Sequence, residues 1–228
     1  MFDTHFEVFL ADTPESKEIH YSIRYQVYCE EKGFENKNDF PMEMEKDNYD
    51  QSSEHFIVRH KESGEWVAAM RLVISGKNGL PMEQHCVLHE EIESNHFQKA
   101  AELSRLCVLE KVRKSAGEGQ NLLRKNSRRV SQSIIWGLLN AASEYCHHNT
   151  LNWYFMTCTS LKKVLSRGGF KMATIGDLCH HKGERYPFRK DTVDAYHNEE
   201  WRNSFINGKA FTQFSEYFRG GEANLKVA

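Results

Sequence analysis

A strand, a glycine turn and a long helix, in that order, constrain this chain more than any other feature. Residues 102–108, Glu-Leu-Ser-Arg-Leu-Cys-Val, alternate apolar and polar side chains as a strand does. Plain alternation puts Leu103 and Cys107 on one face and Glu102, Ser104, Leu106 and Val108 on the other. A carboxylate and a hydroxyl set among apolar residues are uncommon in strands that only build a core. Basic residues follow, then a turn at 114–119 (Lys-Ser-Ala-Gly-Glu-Gly), then a helical signal over 127–148. In that helix Val130, Ile134, Ile135, Leu138, Leu139, Ala142 and Cys146 share one face. A strand feeding a turn and a helix N-terminus usually faces a ligand.

The rest of the chain can be read around that unit. Residues 2–10 read as a first strand, with Phe6, Val8 and Leu10 together. Thr13 and Pro14 open a helix, Ile19, Ile23 and Val27 form its buried stripe, and Gly33 ends it. Arg24, Tyr28 and Glu31 make a second stripe beside the first. Residues 34–51 have no sustained period and form a long connection that ends at Asp47–Asp50; ordered connections of this length are usually functional. Two strands follow, 55–60 and 66–74, around a turn at 62–65, and Arg71 interrupts the apolar second strand. Residues 75–100 are irregular, with a short helix near 89–99. Beyond the long helix the pattern predicts a buried strand at 151–158 and a helix from Thr159 that Gly168 and Gly169 stop. A strand from Phe170, a polar turn over 180–190 and a last strand at 192–196 complete it. Residues 1–197 form one domain on this pattern, and 198–228 an aromatic-rich extension. Trp201, Phe205, Phe211, Phe214, Tyr217 and Phe218 of that extension either pack on the domain or serve a partner.

Composition excludes some function classes. At 228 residues, 39% hydrophobic and 27% charged, the chain matches an ordinary soluble globular protein. No apolar run approaches the ~20 residues a membrane span needs, and the first residues lack a signal-peptide pattern, so a cytoplasmic protein is expected. The six cysteines (29, 86, 107, 146, 158 and 179) show no CxxC pair and predict reduced, buried thiols. The net charge of −2 hides a local excess: residues 111–130 hold seven basic residues against the single acid Glu118. That pattern suits a local anionic partner, not the general basicity and stacking aromatics of a nucleic-acid binder.

The element order, with its central strand leading into a glycine turn and helix, resembles the GNAT-type N-acyltransferases. Within that fold the chain resembles acyl-homoserine lactone synthases and the related enzymes that acylate amino acids from acyl carrier protein. Residues 23–35 (Ile-Arg-Tyr-Gln-Val-Tyr-Cys-Glu-Glu-Lys-Gly-Phe-Glu) look most like the PEP-CTERM/exosortase system-associated acyltransferases. The resemblance implies an α/β (α+β) fold, a mixed central sheet with helices on both faces. Arg24, Tyr28, Phe34, Asp47, Asp50, Arg71 and the Glu102-x-x-Arg105 pair match the autoinducer-synthase pattern in order. In that family such residues form an ion-paired cluster beside the amine acceptor's cleft, to which Ser104 is added here by its place on the strand. Two departures stand out. Phenylalanine replaces the usual tryptophan at 34, and the donor turn begins with lysine and carries Glu118. A carboxylate there opposes a coenzyme A pyrophosphate, which favours acyl carrier protein as donor.

Attack of an amine on a thioester needs a neutral amine, a positioned carbonyl and oxyanion stabilisation. No G-x-S-x-G elbow is present, so direct attack is expected in place of an acyl-enzyme. The main-chain N–H groups of Leu106, Cys107 and Val108 can polarise the carbonyl if the strand bulges there. Glu102 is either the acceptor of the ammonium proton, through water, or half of a structural pair with Arg71 or Arg105. Arg24 either grips the acceptor's carboxylate or pairs with Asp47 or Asp50. Lys111, Arg113, Lys114, Gly117, Gly119, Arg124 and Arg128 are the candidate donor-binding residues, docking an acidic acyl carrier protein. No resident cofactor is expected; the acyl-phosphopantetheine thioester is a co-substrate. His85 and His89, His147 and His148, and Cys179 to His181 lack zinc-site spacing, so no metal is expected. His181 and Arg185 can line the cleft, while Trp153, Phe155 and Met156 read as core. The alternatives are a lactone synthase that uses S-adenosylmethionine, and an acyl-carrier-binding module without activity.

Overall fold

A computed structural model of the chain describes residues 2–89, 92, 99–114, 121–149, 151–190 and 208–218, with the backbone alone over 121–127. After a helical turn, α1 (Phe2–His5), come β1 (Phe6–Leu10) and α2 (Pro14–Tyr25). The start of α2 is a reciprocal cap: the Ser16 N–H donates to the Thr13 hydroxyl, and the Thr13 N–H to Ser16 Oγ. The helix continues as a π-helical stretch, Gln26–Glu31, and the chain turns away at Gly33, whose φ of +60° suits glycine.

β2 (Ser53–His60) and β3 (Trp66–Ile74) extend β1 as an antiparallel meander, and β4 (Lys99–Val108) pairs antiparallel with β3. Two helices, α3 (Glu110–Lys114) and α4 (Asn121–His148), cross over to β5 (Leu151–Thr157), which is parallel to β4. Next come α5 (Thr159–Arg167), β6 (Ala173–Thr174), β7 (Cys179–His180), β8 (Glu184–Lys190), β9 (Thr212–Gln213) and α6 (Phe214–Tyr217). The sheet runs β6-β8-β5-β4-β3-β2-β1-β9, with β7 paired to β8. Ile134, Leu138 and Leu139 of α4 and Leu165 of α5 pack with Phe56, Met70 and Leu103 on one face. On the other face Ile19, Ile23 and Val27 pack against Phe9, Ile57 and Ala69. Each fully buried Leu or Ile of these layers contributes about 1.5–3 kcal/mol. The fold is therefore the mixed, helix-covered sheet that the sequence predicts.

β4 departs from plain alternation. Ala69 faces Cys107 and Arg71 faces Ser104, so Arg105 and Leu106 together oppose Met70. This is a β-bulge, and Arg105 takes a φ of +50° to make it. The extra residue flips the strand's parity. Leu103 lies in the α4-side core and Cys107 in the α2-side core, opposite faces where the sequence predicts one. Glu102 and Ser104 turn toward the α2 side, while Leu106 and Val108 join the α4 side. Pairing of β4 with β5 stops at Leu103 and Phe155, and the rest of β5 pairs with β8. The sheet splays there.

Four other expectations change. Residues 2–5 form a helical turn ahead of β1. The long helix begins at Asn121. Residues 184–190, expected as a turn, form a strand beside β5; Pro187 obscures it but uses only its carbonyl, which accepts from the Ile175 N–H at 3.1 Å. Cys86 and Cys179, expected as reduced thiols, form a disulfide with Cα atoms 5.3 Å apart; 93 residues separate them, so no spacing rule reveals the pair. The other four cysteines are free.

Of the helix expected near 89–99 only residues 89, 92 and 99 are described, and Lys99 belongs to β4; the strand at 192–196, Trp201, Phe205, Gly117 and Gly119 lie outside the described residues. Phe214, Tyr217 and Phe218 gather around Phe9, while Phe211 packs on Phe56 and Tyr145, so residues 211–218 join the same sheet and core. Among the described residues no helix is long and apolar enough to cross a membrane.

Candidate active site

Three arginines from three elements converge beneath β4. Arg24, fully buried on the last turn of α2, donates to Glu45 and, at 2.6 Å, to Asp50. Arg71 of β3 donates to Asp47 at 2.5 Å, to Asp50 at 3.0 Å and to the Ser104 hydroxyl at 3.1 Å. Arg105, thrown out by the bulge, reaches Glu45 at 3.2 Å and Asp47 at 3.1 Å. Three guanidinium groups thus meet three carboxylates, and the cluster is neutral as a whole.

The loop that supplies the acids is held by its own backbone. Asp47 accepts from the Tyr49 N–H at 2.9 Å, and Asp50 from the Asp47 N–H at 2.7 Å. Burial would raise the Asp50 carboxyl, but His55, Arg24 and Arg71 outweigh it and hold it well below the usual carboxylate range. Burial acts likewise on Asp47, and Arg71 and Arg105 again prevail. Of the two roles open to Arg24, the pairing with Asp50 is the one formed, with Glu45 as a second partner. Arg24 and Asp50 lie under the cleft and do not line it.

Glu102 behaves differently. It pairs with neither Arg71 nor Arg105, contrary to the paired alternative; its carboxylate accepts from the Met82 N–H at 2.7 Å. Burial pushes its pKa up to about 8, against the opposing pull of that N–H and of the two arginines. Glu102 is 1% exposed, yet it borders a cavity.

That cavity, of about 570 Å³, follows the splayed edge of β4. Tyr28, Phe34, Glu35, Asp47 and Glu102 border it on the α2 side, Ser104 to Val108 form its floor, and Ile135, Met156 and Leu161 give an apolar wall. His85, His181, Lys182 and Arg185 surround its mouth. The guanidinium of Arg105 lies 5.4 Å from the centre of the Tyr28 ring and the Lys182 ammonium 5.7 Å from it. Lys182 also pairs with Glu35. Burial pushes the Cys107 thiol up to about 12, so this cysteine on the floor is no thiolate at neutral pH.

The basic run is less bare than its composition suggests. Lys111 pairs with Glu65 at 3.0 Å, Lys114 with Glu110 at 2.6 Å, and Arg113 with Glu31. The expected excess is thereby answered in part by acids from outside the run. Arg128 is exposed; the side chain of Arg124, like Gly117 and Gly119, lies outside the described residues. Sequence reasoning missed Glu45, Glu35 and Lys182. One signal was available: arginines in three apolar elements require carboxylates, and Glu45 stands two residues before Asp47.

Comparison with known proteins agrees with this geometry. Residues 23–121, from Ile23 through β4 and α3, match an acetyltransferase (GNAT) domain. No curated protein matches the sequence. Among solved structures, the chain is similar to BjaI, a CoA-dependent acyl-homoserine lactone synthase, at 16% identity over 92% of each chain, with a TM-score of 0.63. MesI, also a CoA-dependent acyl-homoserine lactone synthase, is 15% identical over 90% of this chain and 98% of its own, with a TM-score of 0.59. FeeM, an N-acyl amino acid synthase from uncultured soil microbes, is 11% identical over 88% and 98%, with a TM-score of 0.53. At these identities the likeness establishes the fold.

Proposed function

We propose that the protein transfers a fatty acyl group from a phosphopantetheine thioester to the amine of an amino acid or a related small molecule, by direct attack. One observation supports this above all. A single cavity joins a proton-accepting carboxyl, Glu102, to an uncovered strand edge and an apolar wall. An ammonium group loses one proton to Glu102, whose pKa near 8 suits that exchange. The neutral amine attacks the thioester carbonyl, and the oxyanion takes hydrogen bonds from N–H groups of the β4 floor near Leu106, Cys107 and Val108. When the C–S bond breaks, the remaining proton on nitrogen passes to the leaving thiolate, which gives amide and thiol. Cys107, the cysteine on the floor, is a poor nucleophile, which favours direct attack over an acyl-enzyme.

For the donor, acyl carrier protein is preferred on the sequence, whose Glu118 disfavours a pyrophosphate, with Arg128 exposed for docking. Coenzyme A is the alternative, favoured by the CoA dependence of BjaI and MesI. The resemblance of residues 23–35 to the PEP-CTERM/exosortase system-associated acyltransferases belongs to the same proposal, as does a cytoplasmic location. A second reading, lactone synthesis from S-adenosylmethionine, is favoured by BjaI, whose structure holds SAM and isopentyl-CoA.

Product mass spectrometry of cells expressing the protein tests these readings. N-acyl amino acids are expected. N-acyl lactones would move the protein to the second reading, and neither product, with acyl carrier protein bound but acyl donors untouched, would reduce it to a binding module.

A further inference from the structure

The charges around the cavity do not balance at its mouth. The deep cluster is neutral, and Glu102 is largely an uncharged acid near pH 7. Glu35 is shared between Lys182 and Arg105. Arg185 has no carboxylate partner among the described residues; its two terminal nitrogens donate to the carbonyls of Glu184 at 2.9 Å and Lys182 at 2.8 Å. The β7–β8 turn that presents it is tightly made, with φ of +53° at Lys182 and +99° at Gly183. A Cβ at Gly183 would stand 3.3 Å from the Arg185 guanidinium, so glycine there leaves room for the arginine to fold over its own turn. Beside it His181 stacks on His85 with ring centres 3.9 Å apart. Burial, followed by His85, Arg105 and Arg185, lowers His181 to about 4, which keeps its ring neutral. Among the described residues around the mouth, one positive charge, that of Arg185, is left without a carboxylate.

We infer that the acceptor is an amine bearing a carboxylate, and that the β7–β8 turn receives this carboxylate, with Arg185 as its charged ligand and His181 as a second hydrogen-bond donor. The assignment rests on the N-acyltransferase reading and moves the carboxylate receptor from Arg24, which is buried and ion-paired to Glu45 and Asp50, to a residue with no carboxylate partner among the described residues. The acceptor's carboxylate then lies at the turn and its amine toward Glu102. Arg185 is ready-made for this: a guanidinium offers parallel N–H groups that fit a carboxylate. The phosphate of the donor's phosphopantetheine is the other anion that could occupy the mouth, and the test separates the two.

Steady-state rates are measured for the wild type, Arg185→Gln and Arg185→Lys with the twenty standard amino acids and their carboxamides, at saturating acyl thioester. For the wild type, kcat/KM is expected to be at least tenfold higher for the acids than for the amides. Arg185→Gln should raise KM tenfold or more for the acids while leaving KM for the amides and for the thioester unchanged, and Arg185→Lys should recover part of the loss. Equal losses for acids and amides would overturn the inference, and so would a raised thioester KM, which would assign the mouth to the donor phosphate. If the wild type acylates no acceptor, the N-acyltransferase reading falls by itself. The receptor is then read from the His181 ring by NMR: free amino acids must shift its titration toward higher pH and their amides must not. No shift with the acids overturns the inference.

Discussion

Replacing Glu102 by glutamine isolates the ionisation on which the proposed chemistry depends. The two side chains have the same shape, and the Gln carbonyl can still accept from the Met82 N–H. A carboxyl raised from 4.5 to about 8 holds its proton in the folded protein at pH values where the unfolded chain has released it. The folded state therefore binds the proton more tightly, and this group's stabilising contribution is complete below about pH 4.5. Between there and about pH 8 the wild-type folding constant should fall by about tenfold per pH unit relative to Glu102→Gln, an accumulated change on the order of 5 kcal/mol. Above pH 8 the folded carboxyl ionises too and the difference stops growing. Urea unfolding followed by tryptophan fluorescence at pH 5, 6, 7 and 8 measures it directly. Parallel stability curves for the two proteins would refute the raised pKa. The same ionisation should govern turnover: wild-type kcat/KM is expected to rise to a plateau near pH 8, and Glu102→Gln to lose about 10²–10⁴-fold.

Arg24→Met should cost about 3–5 kcal/mol in the same urea assay, because it leaves Glu45 and Asp50 buried with one cation fewer. Lys111→Met, whose partner Glu65 is as exposed as Lys111 itself, should cost about 1 kcal/mol or less, and equal losses would show that the deep cluster is not the stabilising unit. Alkylation of the denatured protein without reductant, followed by intact-mass analysis, should label four of the six cysteines; six labels would remove the link between Cys86 and Cys179.

Much of the fold was legible because its elements advertise themselves locally. Trp66–Ile74 is an apolar run broken only by Arg71, and the stripe Ile19, Ile23, Val27 and the cap at Thr13 define α2. The bulge was not legible as geometry. Nothing in the alternation of residues 102–108 marks which residue is extra, because the register is set by the partner strand β3. β8 was hidden by Pro187 and by charged residues at strand positions whose neighbours only the folded sheet supplies. At the site, the arginines stood out as charges inside apolar elements, but their partners could not be assigned. Pairing Arg24 with Glu45 and Asp50 depends on how a loop of irregular backbone closes over the helix. The same holds for the basic run, whose counter-charges Glu31 and Glu65 come from distant segments.

The neutrality of the deep cluster has an evolutionary consequence. Three cations and three anions that share partners cannot lose one member without stranding another in a dry environment, so changes there must come in compensating pairs. Arg185 at the cavity mouth carries no such obligation, since among the described residues it is tied only to carbonyls of its own turn. Descendants of this chain can therefore explore new acceptors by altering a few residues around the hairpin while the buried framework stays constant. Drift in substrate choice should be recorded at residues 181–185 long before it reaches the arginines.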